Sequence, residues 1–186
     1  MSRKQFVTQN LLVRDDSVLV VIDMQEKLMP VIADGGRLID NIIKLLKFSQ
    51  IIKLPVILTE QEKLGKTIAE VKSEILNFNP ILKIVFDGFL CDEFIEQLSQ
   101  MERKTLILAG VEAHICIAQT ALHALPHFKV QVVGDAVSSR TLENKSIALE
   151  RMRQSGAVIS STEMVIYELL QRAGTDEFRA ALKLVK

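Results

Sequence analysis

The chain has 186 residues, of which 48% are hydrophobic, 25% charged and 5% aromatic, with 23 basic and 23 acidic side chains. This length and apolar content suit a single domain spanning 1–186 with a full core, and they exclude a disordered chain. The balanced charge argues against nucleic-acid binding, no apolar run reaches the ~18–20 residues of a membrane span, and the polar start Met-Ser-Arg-Lys-Gln carries no apolar signal core, so a cytoplasmic protein is expected.

In chain order, six apolar runs read as strands: Ser17 to Ile22, Pro55 to Thr59, Ile81 to Phe86, Thr105 to Ala109, Val130 to Val133, and Ala157 to Ile159. Most are rich in Val, Ile and Leu without polar alternation, as in strands of a parallel sheet buried on both faces. Helical spacing follows the first run at Ile39, Ile42, Ile43 and Leu46. Thr67 with Glu70, and Ser160 with Glu163, have the spacing of capping boxes. A further helix is expected over Ala118, Ala121, Leu122 and Leu125, a charged surface helix after Arg140, another helix over Val165, Ile166, Leu169 and Leu170, and a short final one from Asp176. Alternation of strand and helix predicts an α/β fold: a parallel sheet with helices on both faces. Ligands bind such sheets outside the carboxyl ends of the strands, so functional residues should follow the apolar runs.

Asp23 ends the first run, where a turn or helix-capping aspartate is the common alternative. Thr59, Glu60 and Gln61 end the second and are polar enough to line a crevice. Lys83 sits inside the third, between apolar neighbours. Lysine is almost never fully buried unpaired, so it is either a functional cation or a snorkelling edge residue. The fourth run leads into Gly110-Val-Glu-Ala-His-Ile-Cys116. Of the two cysteines, Cys116 falls on the helix face of Gln119, Thr120 and His123, off the expected apolar stripe through Ile115. It also lies in a first helical turn, where unpaired N–H groups lower a thiol pKa. On these grounds Cys116 is balanced between a nucleophile and a buried small hydrophobe. Together Asp23, Lys83 and Cys116 make a coherent set: a carboxylate to take a thiol proton, an ammonium to stabilise the ion pair, and a thiolate to attack a carbonyl.

Three segments, Val21-Ile-Asp-Met-Gln25, Lys83-x-x-Phe86-Asp-Gly-Phe89 and Gly110-Val-Glu-x-x-x-Cys116, resemble the signatures of the isochorismatase-like cysteine hydrolases. Asp135-Ala-Val-Ser-Ser-Arg140 and Met152-Arg-Gln-Ser-Gly-Ala157 resemble the isochorismatase-domain-containing branch. The resemblance implies a Rossmann-like three-layer α/β/α sandwich with a central six-stranded parallel sheet, and an Asp23–Lys83–Cys116 triad. It also implies a cis peptide at Val111–Glu112 and an oxyanion site formed by the Glu112 and Cys116 N–H groups. The implied chemistry is hydrolysis of a small amide, imide or carbamoyl-type compound through a thioester, in a homo-oligomer. Nicotinamidases of this family bind a metal through histidines after the second strand. Here that region reads Thr59-Glu-Gln-Glu-Lys-Leu-Gly-Lys66, so neither metal nor cofactor is expected.

Gln25, Glu60, Gln61, Phe86, Phe89 and His114 are candidates for the substrate pocket. For the phenylalanines the alternative is ordinary core, and for His114 a partly solvated rim. His123 and His127 read as surface residues, Cys91 as a packing or capping residue, and Asp135 as the end of the fifth strand, fixing the loop after it. The competing functional reading is a catalytically silent oligomeric small-molecule binder on the same fold.

Overall fold

A computed structural model describes residues 11–186. Six parallel strands form one sheet: β1 Ser17–Ile22, β2 Val56–Gln61, β3 Ile81–Lys83, β4 Thr105–Val111, β5 Lys129–Ser138 and β6 Val158–Ser160, in the order β3-β2-β1-β4-β5-β6. The helices are α1 Gly35–Ile52, α2 Ala69–Lys72, α3 Asp92–Gln100, α4 Ala118–Ala124, α5 Leu142–Gln154, α6 Thr162–Leu170 and α7 Asp176–Val185. This is the parallel sheet with helices on both faces expected from the alternation of runs, and the six-stranded three-layer α/β/α sandwich that the resemblance implies.

The two faces of β1 show why its sequence carries no polar alternation. Leu19 and Val21 pack in the core beneath α1, α6 and α7, while Val18, Val20 and Ile22 pack in a second core beneath α3, α4 and α5. A central strand with a helix layer on each side buries every side chain, and all six residues of β1 are buried.

Strand order reverses between β1 and β4, the place where an open α/β sheet forms a crevice. The two strands are in register with Ile22 beside Gly110. Gly110 has φ +111°, and a Cβ there would lie 2.1 Å from the Ile22 carbonyl oxygen. Only glycine fits this close approach. The β4–β5 register also shifts here, between Leu108 and Gly110, so that Leu108 pairs with Val132 but Gly110 with Val137.

Several local expectations are corrected. β3 ends at Lys83 and not at Phe86. Beyond it the chain leaves the sheet edge, and Ile84, 71% exposed, has no layer to cover it. β5 runs on to Ser138. Asp135 therefore lies within that strand, and its Oδ1 accepts hydrogen bonds from the Thr162 N–H (2.7 Å) and hydroxyl (2.9 Å), tying β5 to the start of α6. The capping boxes are displaced. Ser161, one residue later than expected, caps α6 by accepting from the Met164 N–H. Ile68, not Thr67, takes the N-cap position of α2, and the Thr67 N–H and hydroxyl both donate to Glu60 Oε1.

Candidate active site

Three strand ends deliver Asp23, Lys83 and Cys116. In β3, Ile81 and Lys83 share a buried face while Leu82 points outward, 56% exposed. Period-two alternation thus explains a lysine inside an apolar run: Lys83 turns in with Ile81 and is not a snorkelling edge residue. Asp23 follows β1 with φ 54°, a left-handed conformation that Asp tolerates better than most residues. Its N–H donates to the Thr59 carbonyl at 3.2 Å. Cys116 follows β4 on a π-helical turn, Ala113–Ile117, in which the Ile117 N–H reaches back to the Glu112 carbonyl at 3.3 Å. The Val111–Glu112 peptide is cis.

All three meet. The Lys83 ammonium donates to Asp23 Oδ2 at 2.7 Å and lies 3.7 Å from Cys116 Sγ. The other Asp23 oxygen, Oδ1, accepts from the Thr59 hydroxyl at 2.7 Å. Lys83 also donates to Gln61 Oε1 at 2.8 Å and to the Val85 carbonyl at 3.3 Å. Asp23, Lys83 and Cys116 are 1%, 3% and 6% exposed, so nearly all water is excluded. The ion pair is sustained in that setting because each partner has further hydrogen bonds.

The thiol departs from expectation in two ways. The π turn rephases the helix, so Cys116 joins the core that also holds Ala113, Ile117 and Ala121, and Ile115 is the half-buried residue. Its acidity is also opposite in sign to the helix-terminus argument. Burial first, and the Asp23 carboxylate second, push the thiol up from an ordinary 9.0 to about 12, while Lys83 pulls in the other direction. Desolvation here exceeds the half-charge of one short helical turn.

The remaining candidates separate. Gln25 is fully buried and joined to backbone at both ends of its amide: Nε2 donates to the Gln61 and Gly65 carbonyls, and Oε1 accepts from the Gln61 N–H. Glu60, also buried, holds Thr67. Gln61 bridges Lys83 and the Ile84 carbonyl, to which its Nε2 donates at 2.8 Å. These three act inside the fold rather than as open pocket groups. A polar residue at a strand end has the same sequence signal in either case.

Phe86 is half-exposed at the surface. Phe89 packs instead in an aromatic cluster, stacked on His123 (centroids 5.1 Å apart) and edge-on to Phe94 (5.4 Å). His123, expected only at the surface, also pairs with Asp87 at 2.7 Å. Cys91 occupies the position before α3 without a side-chain cap bond. Sequence reasoning did not single out the Glu112 carboxylate, which is buried and accepts from the Arg140 N–H (3.0 Å) and Nε (3.2 Å). His114 Nδ1 lies 3.0 Å from the Ser139 hydroxyl. The ends of β4 and β5 are thereby locked together beside Cys116. Among the described residues, no group of three or more His, Cys, Asp or Glu side chains is arranged to hold a metal ion, and no helix is long and apolar enough to cross a membrane.

A doubly wound sheet with a buried carboxylate, ammonium and thiol at its crevice defines an α/β protein built like the isochorismatase hydrolases. The isochorismatase domain family matches residues 17–164, and the chain belongs to that family. It is 36% identical over 184 residues to the secreted isochorismatase effector Isc1 of Phytophthora sojae, covering 94% of this chain and 87% of that protein. It is 37% identical over 174 residues to human isochorismatase domain-containing protein 2, covering 91% and 83%. Among solved structures, the MAR1 ribonuclease of Caenorhabditis elegans superposes with a TM-score of 0.87 at 31% identity, covering 94% of this chain and 92% of that one. The Escherichia coli YcaC product, described as an octameric hydrolase of unknown specificity, superposes with a TM-score of 0.89 at 25% identity, covering 96% and 91%.

Proposed function

We propose that this protein is a cysteine hydrolase acting on the C–N bond of a small amide, imide or carbamoyl-type compound, with Asp23, Lys83 and Cys116 as its triad. The observation that carries the reading is the meeting of these three buried groups, with the ammonium between carboxylate and thiol at 2.7 and 3.7 Å.

The raised thiol pKa shapes the mechanism. Releasing the Cys116 proton to solvent would leave two anions beside one cation in a dry site. Handing it to Asp23 leaves one anion and one cation, as before. The thiol therefore rests protonated, and its proton moves to Asp23 as sulfur attacks the substrate carbonyl. The S–C bond forms and the carbonyl electrons move to oxygen. The Glu112 and Cys116 N–H groups hold that oxyanion. Asp23 passes its proton to the departing nitrogen as the C–N bond breaks, leaving a thioester. Water then attacks the thioester, giving its proton to Asp23, and the tetrahedral adduct collapses to expel sulfur, which recovers the proton. Lys83 stays cationic and balances whichever neighbour carries the negative charge.

No metal or cofactor enters this scheme. The equal counts of acidic and basic residues favour a small-molecule substrate over a polyanion such as RNA, even though the C. elegans relative is named a ribonuclease. The octameric YcaC product supports a homo-oligomer. Cytoplasmic residence belongs to the same reading, while the P. sojae relative is named as a secreted effector.

The near-closure of the site around Cys116, only 6% exposed, favours the competing reading of a silent binder. Turnover on an amide and carbamoyl panel decides between them. Cys116→Ala should lower turnover by about three orders of magnitude or more. Full turnover in that variant would defeat the nucleophile assignment, and a wild type inactive on the whole panel would favour the binder.

A further inference from the structure

Lys83 has three N–H bonds, yet four acceptors surround it: Asp23 Oδ2 at 2.7 Å, Gln61 Oε1 at 2.8 Å, the Val85 carbonyl at 3.3 Å and Cys116 Sγ at 3.7 Å. The three oxygens match the three protons in number. They are also better acceptors than sulfur. The sulfur, the most distant of the four at 3.7 Å, therefore competes with these oxygens for a Lys83 hydrogen bond. Gln61 holds its place firmly: its Nε2 donates to the Ile84 carbonyl and its N–H to Gln25 Oε1, both at 2.8 Å. Its carbonyl oxygen, and not its NH2, must therefore face Lys83.

We propose that Gln61 is a positioning residue for the triad: by accepting a hydrogen bond from Lys83 it holds that N–H away from the Cys116 sulfur and so limits how far Lys83 stabilises the thiolate. The inference rests on the cysteine-hydrolase reading and deepens it. Gln61 reaches the reacting atoms only through Lys83. Its role is to keep the ammonium acting on the sulfur through its charge rather than through a directed N–H bond, which would stabilise the thiolate further.

Two substitutions should act in opposite directions. In Gln61→Leu the freed Lys83 proton turns to sulfur, stabilising the thiolate. In Gln61→Glu a second carboxylate shares the ammonium and withdraws its charge from sulfur. The readout is the rate of Cys116 alkylation by iodoacetamide at pH 8 to 10, resolved from Cys91 by peptide mass mapping. For a thiol titrating well above the working pH, one unit of pKa is about a tenfold change in thiolate and so in rate. Gln61→Leu should be about tenfold faster than wild type at Cys116 and Gln61→Glu about tenfold slower, with Cys91 unchanged in both. Loosening of the fold would instead speed both cysteines in both variants. Equal rates, shifts of one sign, or parallel changes at Cys91 would overturn the assignment of Gln61 alone. A wild type in which Cys116 never labels would overturn the nucleophile reading and this inference with it.

Discussion

Replacing Lys83 by Met removes one charge from a pair that is almost completely dry. The ammonium has three oxygen partners, and Asp23, 1% exposed, would keep only uncharged partners, the Thr59 hydroxyl and the Cys116 thiol, on its side chain. Breaking a buried pair by deleting one member destabilises by about 3–5 kcal/mol, because the other charge is left without compensation. Against a whole-domain stability of about 5–15 kcal/mol, that is a large fraction. Lys83→Met should therefore lower the urea unfolding free energy at pH 8 by about 3–5 kcal/mol. Removing the second charge should recover much of this loss: Asp23→Asn with Lys83→Met should be more stable than Lys83→Met alone, since paired neutralisation leaves no stranded ion. Urea titrations followed by circular dichroism, with the unfolding slope checked for constancy, give both numbers. A single variant within about 1 kcal/mol of wild type, or a double variant no better than the single, would refute the account of a dry, mutually dependent ion pair.

Gly110→Ala should lose about 4 kcal/mol or more, or fail to fold, because the new Cβ meets the Ile22 carbonyl oxygen at 2.1 Å on a backbone with φ +111°; thermal unfolding measures it. Thr59→Val deletes the donor to Asp23 Oδ1 and should cost about 1.5–3 kcal/mol in the same assay, with a larger loss of turnover than of fold. Between pH 9 and 12 the unfolded chain gives up the Cys116 proton while the folded chain, with its thiol pushed up to about 12, retains it. Wild-type stability should therefore fall with rising pH by up to about 1.4 kcal/mol per unit more steeply than that of Cys116→Ala, as compared by urea titration at pH 8, 9 and 10.

The sheet was legible because buried strands are continuous Val, Ile and Leu runs, and β1 matches its expected bounds, Ser17–Ile22. β3 was overextended because Ile84, Val85 and Phe86 are apolar too, and apolar character does not reveal that a chain has passed the sheet edge. β5 outruns its expected bounds because Asp135 reads as a strand end; the register shift against β4 instead carries the strand through it to Ser138. At the site, strand-end logic brought Asp23, Lys83 and Cys116 to one crevice, where the structure joins them. It could not say which strand-end polar groups face inward. Glu60 and Gln25 find their partners on backbone that the long 62–67 loop brings near, a contact with no local sequence signal. The acidity of Cys116 was misjudged because a helix phase drawn at 3.6 residues per turn missed the π turn that rotates the sulfur into the core.

A covalent acyl group on Cys116 is the most direct sign of the proposed chemistry. Wild-type protein incubated briefly with a panel of small amides, imides and carbamoyl compounds, quenched in acid and weighed intact, should gain the acyl mass of at least one turned-over compound. Peptide mapping should place that mass on Cys116 and not on Cys91, and Cys116→Ala should gain nothing. Turnover with the adduct on Cys91, or equal turnover by Cys116→Ala, would contradict the account.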